Sequence, residues 1–132
     1  MAIQQMDIVI PQGWESMHER FHYAPAVRDG DRLWCSGILG VGEDGKVSAD
    51  PREQFTRAFE LTGMLLSAAG IGFAEVVEMT TFHVDLPTHL KAFVEVPDSY
   101  LRPPYPAWTA IGISDLARKG ALVEIKVVAR LP

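Results

Sequence analysis

The sequence has a single cysteine, Cys35, so no disulfide can close within the chain. That usage fits a reducing compartment. No apolar run approaches the roughly 20 residues of a membrane-spanning helix. Residues Met1 to Ile10 carry Gln4, Gln5 and Asp7 and no basic stretch, unlike a secretory signal. The cytoplasm is the expected location. Positive charge is also sparse, with 12 Lys+Arg against 17 Asp+Glu and a formal net charge of −5. A phosphate-binding surface needs a basic cluster, and the densest pair is only Arg118-Lys119. Nucleic acid and membrane are therefore not expected partners. Repeats, low-complexity stretches and linkers are missing too. The 132 residues, 48% apolar and 22% charged, read as one globular domain, 1–132, large enough for its own core.

What is present alternates between strands and helices. Tyr23 to Val27 and Leu33 to Gly37 read as strands flanking the Asp29-Gly30-Asp31 turn, with Pro25 at an edge or bulge. Gly40 to Lys46 reads as a loop. The spacing predicts a helix after Asp50, with Asp50 as N-cap, Pro51 at N1 and Glu53 at N3 of a capping box. Phe55, Ala58, Phe59, Thr62, Leu65, Leu66 and Ala69 form its buried stripe. Glu53 and Arg57 are expected to pair at i,i+4, Gly63 to mark a close contact, and Gly70 to end the helix. Val76 to Asp85 is a strand, Pro87 to Val94 a weaker helix, and Pro103 to Pro106 a stiff extended segment. Ala107 to Ile113 and Leu122 to Ala129 are the last strands. The fold class is α+β, with a sheet of about five strands and two helices on one face.

Side-chain alternation singles out one residue. In the last strand Val123, Ile125, Val127 and Ala129 share one face, and Leu122, Glu124, Lys126 and Val128 the other. The apolar sets, including Thr109, Ile111 and Ile113, are expected to meet the helices. Glu124 and Trp108 then look away from them. Trp34, Trp108, Leu122 and Val128 on that face would need a partner subunit as cover. A carboxylate buried at such an interface has a raised pKa and suits holding a water. An ion pair with Lys126 is the structural alternative.

Other motifs are weaker. His18-Glu19-Arg20-Phe21-His22 matches the zinc pattern H-E-x-x-H, which requires one helix to present both imidazoles. Gly13 and Pro25 leave little room for that helix, so no metal site is assigned. Gly37, Gly40 and Gly42 have the wrong order for a phosphate loop. Cys35 shares a face with Leu33 and reads as a buried thiol. His83 is either a strand histidine with its hydrogen bonds met or a cleft residue, and His89 reads as a surface helix residue.

Several segments carry a family resemblance. Tyr23-Ala24-Pro25-Ala26-Val27 through Ser36-Gly37 resembles the opening of the YjgF/RidA family, also labelled L-PSP endoribonuclease-like. Val76 to Leu86, Pro106-Ala107 and Gly120-Ala121-Leu122-Val123-Glu124-Ile125 resemble its later segments. The resemblance runs from about Tyr23 to Ala129. It implies a chorismate-mutase-like fold and a homotrimer with three clefts between subunits. It implies hydrolysis of reactive imines and enamines to ketones and ammonia, with no metal or organic cofactor. By position Glu124 would hold the attacking water, and Tyr23, Ser36 and Gly37 would line the cleft. The substrate-clamping arginine after Pro-Ala is Trp108 here, and the family's cysteine two residues on is Ala110. Trp108 offers a flat apolar wall and one N–H donor, which favours an apolar or aromatic small-molecule ligand. Arg20, Arg28, Arg32 and Arg102 are the candidates for a substitute charge. A ligand-binding trimer without catalysis is the rival reading.

Overall fold

The computed structural model describes residues 7–132. Of the ten residues read above for a signal, 1–6 lie outside the described residues. Seven strands are described: β1 (Asp7–Val9), β2 (Ala26–Asp29), β3 (Arg32–Cys35), β4 (Ile38–Leu39), β5 (Val76–Val84), β6 (Ala107–Ile113) and β7 (Val123–Arg130). They lie in one sheet in the order β1-β2-β3-β7-β5-β6, and β4 also pairs with β7. All pairings are antiparallel except β5 with β6. A parallel pair needs a crossover, and a helix supplies it here. The two strands beyond the expected five are β1 and β4, which are too short to show alternation.

Three α-helices accompany the sheet: α1 (Glu15–Glu19), α2 (Pro51–Ala68) and α3 (Leu86–Val94). No helix is long and apolar enough to cross a membrane among the described residues. Asp50 caps α2, accepting from the backbone N–H of Arg52 and Glu53. The reciprocal half of the capping box does not form. The Ser48 hydroxyl donates to Glu53 instead, and Asp50 N–H donates to Ser48 Oγ. Arg57 pairs with Glu60, not with Glu53, because its Nε is drawn to the Val41 carbonyl. Phe55, Ala58, Phe59, Thr62, Leu65 and Leu66 are fully buried, as their spacing predicts. A side chain at Gly63 would meet the Phe73 ring at 3.1 Å, so this glycine does mark a close contact.

The core between α2, α3 and the sheet is aromatic. Phe59 stacks on Tyr100 at 5.1 Å and on Phe93 at 5.9 Å, and Phe93 meets Phe55 edge-on at 5.4 Å. Such pairs add to the area term. His89 is half-buried, with its ring 6.4 Å from Phe55, so it is less of a surface residue than its helical position suggests.

Register fixes the faces. Val123, Ile125 and Val127 stand opposite His83, Thr81 and Met79, and these stand beside Gly112, Ala110 and Trp108. All of them therefore point to the helix layer. Glu124, Phe82, Thr109 and Ile111 lie on the other side. This corrects the expectation for β6, whose tryptophan lies on the helix side and whose isoleucines lie on the open side. The physical reason is room. A Cβ at Gly112 would already touch Leu86 of α3 at 3.6 Å, so little room is left there for a longer side chain, and β6 is an edge strand. Val128 and Leu122 also differ from expectation. Val128 is buried, and Leu122 packs against the core. Trp34 and Ile111 remain exposed at 48% and 39%, so the open face keeps an apolar surface.

Candidate functional site

The site begins at an interruption in the sheet. Trp34 pairs with Val128, and Ile38 pairs with Ile125. Four residues on one strand thus span three on the other, so one extra residue bulges out at Cys35–Gly37. Bulges of this kind re-aim neighbouring side chains. Here the bulge brings the Gly37 backbone beneath the Glu124 carboxylate. A Cβ at Gly37 would lie 2.5 Å from Glu124 Cδ, so only glycine leaves the carboxylate its place.

Around that point opens a cavity of about 760 Å³, lined among others by Tyr23, Ser36, Gly37, Leu39, Arg57 and Glu124. Tyr23 is 42% exposed. The predicted strand from Tyr23 to Val27 begins only at Ala26, since Pro25 has no N–H for a ladder. Tyr23 is left to bond back to the Met17 carbonyl through its backbone N–H. Ser36 donates its hydroxyl proton to the Ala24 carbonyl at 2.7 Å. It can therefore accept a bond from a ligand but has no proton left to give. Burial pushes the Glu124 carboxyl above the usual carboxylate range. No ion pair joins it to Lys126 among the described residues.

Trp108 and Ala110 stand apart from this group, on the opposite face of the sheet. Trp108 donates its indole N–H to Thr81 Oγ1 at 2.9 Å and lies 6.1 Å from Phe93. With Met79, Val94, Pro97, Leu101 and Tyr105 it borders a second cavity of about 180 Å³. Within one chain, then, Glu124 does not face Trp108. His83 is fully buried, bonded through Nε2 to Thr81 Oγ1 at 2.7 Å, and its Nδ1 has no partner among the described residues. Burial lowers its pKa to about 4, which keeps it neutral at pH 7. It is a core histidine and does not line the Glu124 cavity.

The remaining candidates resolve simply. Helix α1 holds His18 and ends at Glu19, while His22 has φ +60°, so the two imidazoles do not share a helix face. No cluster of three metal-ligating side chains occurs among the described residues. Burial pushes the Cys35 thiol up to about 12, which makes it a poor nucleophile. Arg28 pairs with Asp7, Arg32 with Asp31, Arg102 bonds the Asp98 carbonyl, and Arg20 lies over Phe21. None of the four lines the Glu124 cavity. Arg57 and Arg118 do, and sequence reasoning missed both. Arg57 read as a helix-surface cation, and only the path of the 40–47 loop brings it into the cavity.

Comparison with known proteins agrees with this architecture. The profile of the family Endoribonuclease L-PSP matches residues 15–131. The RutC family protein YjgH of Escherichia coli is 38% identical over 125 residues, 94% of each chain. The human 2-iminobutanoate/2-iminopropanoate deaminase is 29% identical over 109 residues, 81% of this chain and 78% of that protein. The solved structure of protein YjgH superposes with a TM-score of 0.87 at 37% identity, covering 98% of both chains. The bulged β3–β4 edge, the parallel β5–β6 crossover and these matches lead to one conclusion: the chain belongs to the Endoribonuclease L-PSP family, that of the YjgF/RidA proteins.

Proposed function

We propose that the chain is a hydrolase of small reactive imines or enamines, working in the cytoplasm as a homotrimer without metal or organic cofactor. The observation that carries this reading is the Glu124 carboxyl, half-buried over Gly37 at the rim of a large cavity and free of an ion pair among the described residues. A carboxylate so placed can accept a proton from a bound water. The water oxygen attacks the imine carbon, and Glu124 passes the water's proton to the nitrogen to give a carbinolamine. Glu124 then takes the proton of the new hydroxyl and delivers it to the amine as the C=O bond forms and the C–N bond breaks. The products are a ketone and ammonia. Tyr23 donates a hydrogen bond to the substrate, and Ser36 accepts one.

The exposed face with Trp34 and Ile111 supports subunit association. In a trimer, Trp108 on edge strand β6 serves the cleft of an adjacent subunit, and Ala110 beside it leaves room where many family members carry cysteine. Trp108 then stacks on a substrate of more apolar character than 2-iminopropanoate.

The test is ketone release from imines formed in situ by an amino-acid oxidase, with and without the protein. Imines of phenylalanine and leucine are expected to be hydrolysed faster than that of alanine. Light scattering is expected to give three times the protomer mass. Loss of the arginine favours a second reading, a trimer that binds ligand without turnover. Thermal stabilisation by ligand without faster ketone release would select it. Gly37→Ala is expected to reduce turnover by about tenfold or more, since the new methyl must displace the carboxylate it meets. Unchanged kinetics would show that the position of Glu124 over Gly37 does not matter.

A further inference from the structure

The Glu124 cavity has a cationic end. Arg57 on α2 donates Nε–H to the Val41 carbonyl at 3.0 Å, and Arg118, between β6 and β7, donates Nη1–H to the Gly45 carbonyl at 2.8 Å. Two arginines from distant parts of the chain are thus tied to one loop, and both line the cavity. The tie fixes where each guanidinium lies at low entropic cost on binding. It occupies only part of a five-donor fork: Arg57 makes one further contact, to Glu60 at 3.4 Å. Among the described residues two carboxylates line the cavity, Glu124 and Glu43, the latter in the loop the arginines hold, so cations and acids balance there, in a chain whose net charge is −5. By contrast, the cavity beside Gly63 holds Glu60 and the cavity beside Trp108 holds Asp98, and neither is lined by an arginine or lysine among the described residues.

Position along the chain separates this end from Glu124. Leu39 stands opposite Glu124, Val41 comes two residues further, and Gly45 lies beyond it in the loop. The chain turns here, Val41 N–H donating to the Leu39 carbonyl at 2.9 Å, so Glu124 is paired before the turn and the two arginines are tied after it. The volume of about 760 Å³ also exceeds what a three-carbon acid needs.

Resting on the hydrolase reading for the role of Glu124, we infer that Arg57 and Arg118 bind an anionic group of the substrate that lies several bonds from the reacting carbon. The preferred substrate is then a small imine or carbonyl compound that carries a carboxylate or phosphate several bonds from the reacting carbon, whether or not a second carboxylate adjoins that carbon.

The probes are three ketones: 4-oxopentanoate, its isomer 2-oxopentanoate with the adjacent carboxylate, and neutral 4-oxopentanamide. Binding to the full-length protein is measured by calorimetry. The distal acid is expected to bind at least about tenfold tighter than the other two. Arg57→Gln and Arg118→Gln are each expected to weaken the distal acid by about tenfold and the amide by less than about twofold. Arg57→Lys, which keeps the charge but loses the fork, should retain part of the preference, and it guards against a misfolded glutamine variant. Equal affinity for the three probes overturns the inference. So does no measurable binding of the distal acid, or equal losses for acid and amide, which would make the arginines loop staples alone. Arginine-dependent binding of the distal acid with no imine turnover would sink the hydrolase reading and leave this one standing.

Discussion

Replacing Glu124 by glutamine is expected to lower imine turnover by about 10²- to 10⁴-fold, the usual weight of a positioned general base. Glutamine keeps the size and the contact with Gly37 but cannot take a proton. The pH dependence carries the sharper signature. Burial raises the Glu124 pKa, and the base form is the charged one. In the wild type kcat/KM should therefore rise with pH through that raised pKa and level off above it, and the variant should lose this limb. The stability effect has the opposite sense. An acid whose folded pKa lies above its unfolded value contributes stability that is present below the unfolded pKa. That contribution is lost as pH rises through the folded pKa. At neutral pH the charged, half-buried carboxylate thus opposes folding. Glu124→Gln should be more stable than the wild type there, a common trade between stability and activity. Steady-state kinetics from pH 4 to 9, with thermal melts across the same range, check both arms. A variant with full turnover, or one without the gain in stability at neutral pH, contradicts the placement of this residue.

Phe59→Ala is expected to cost about 3–5 kcal/mol, a large part of the 5–15 kcal/mol available to a domain of this kind. Phe59 is fully buried and, beside the Phe55–Phe93 contact, joins α2 to Phe93 of α3, to Tyr100 and to Phe73. Removing it opens a cavity bounded by three other rings, which cannot all close in. The chemical-denaturation midpoint should fall with little change in slope. It is measured at fixed protomer concentration, because assembly would otherwise shift it. Turnover by the folded fraction should stay near the wild-type value, since Phe59 does not line the Glu124 cavity. A midpoint within about 1 kcal/mol of the wild type would mean that the aromatic cluster does not hold the helix layer together.

Much of this was legible from periodicity. The α2 stripe, its Asp50 cap and the two faces of β7 follow from spacings of 3.6 and 2, because in each case one side of the element meets a continuous core. The capping box half failed for a local reason: Ser48, two residues before the cap, competes for both Glu53 and Asp50 N–H. The face of β6 was read wrongly for a different reason. Pattern alone assigns the more apolar side to the core. An edge strand half-covered by a short helix obeys packing room instead: Gly112 lies under Leu86 of α3, while Trp108 on the same side has room beside Phe93.

By itself, the sequence determined the α+β class, the buried face of β7 and the opposite placement of Glu124, since alternation along a strand is a property of the backbone. It also carried the family resemblance, through segments whose order and spacing survive without contacts. Only the tertiary structure decided what surrounds Glu124. The β3–β4 bulge sets Gly37 beneath it, the loop after β4 draws in Arg57 and Arg118, and the edge position of β6 sends Trp108 to the other face. These are meetings of residues far apart in the chain, fixed by register and by loop path, which no local pattern encodes.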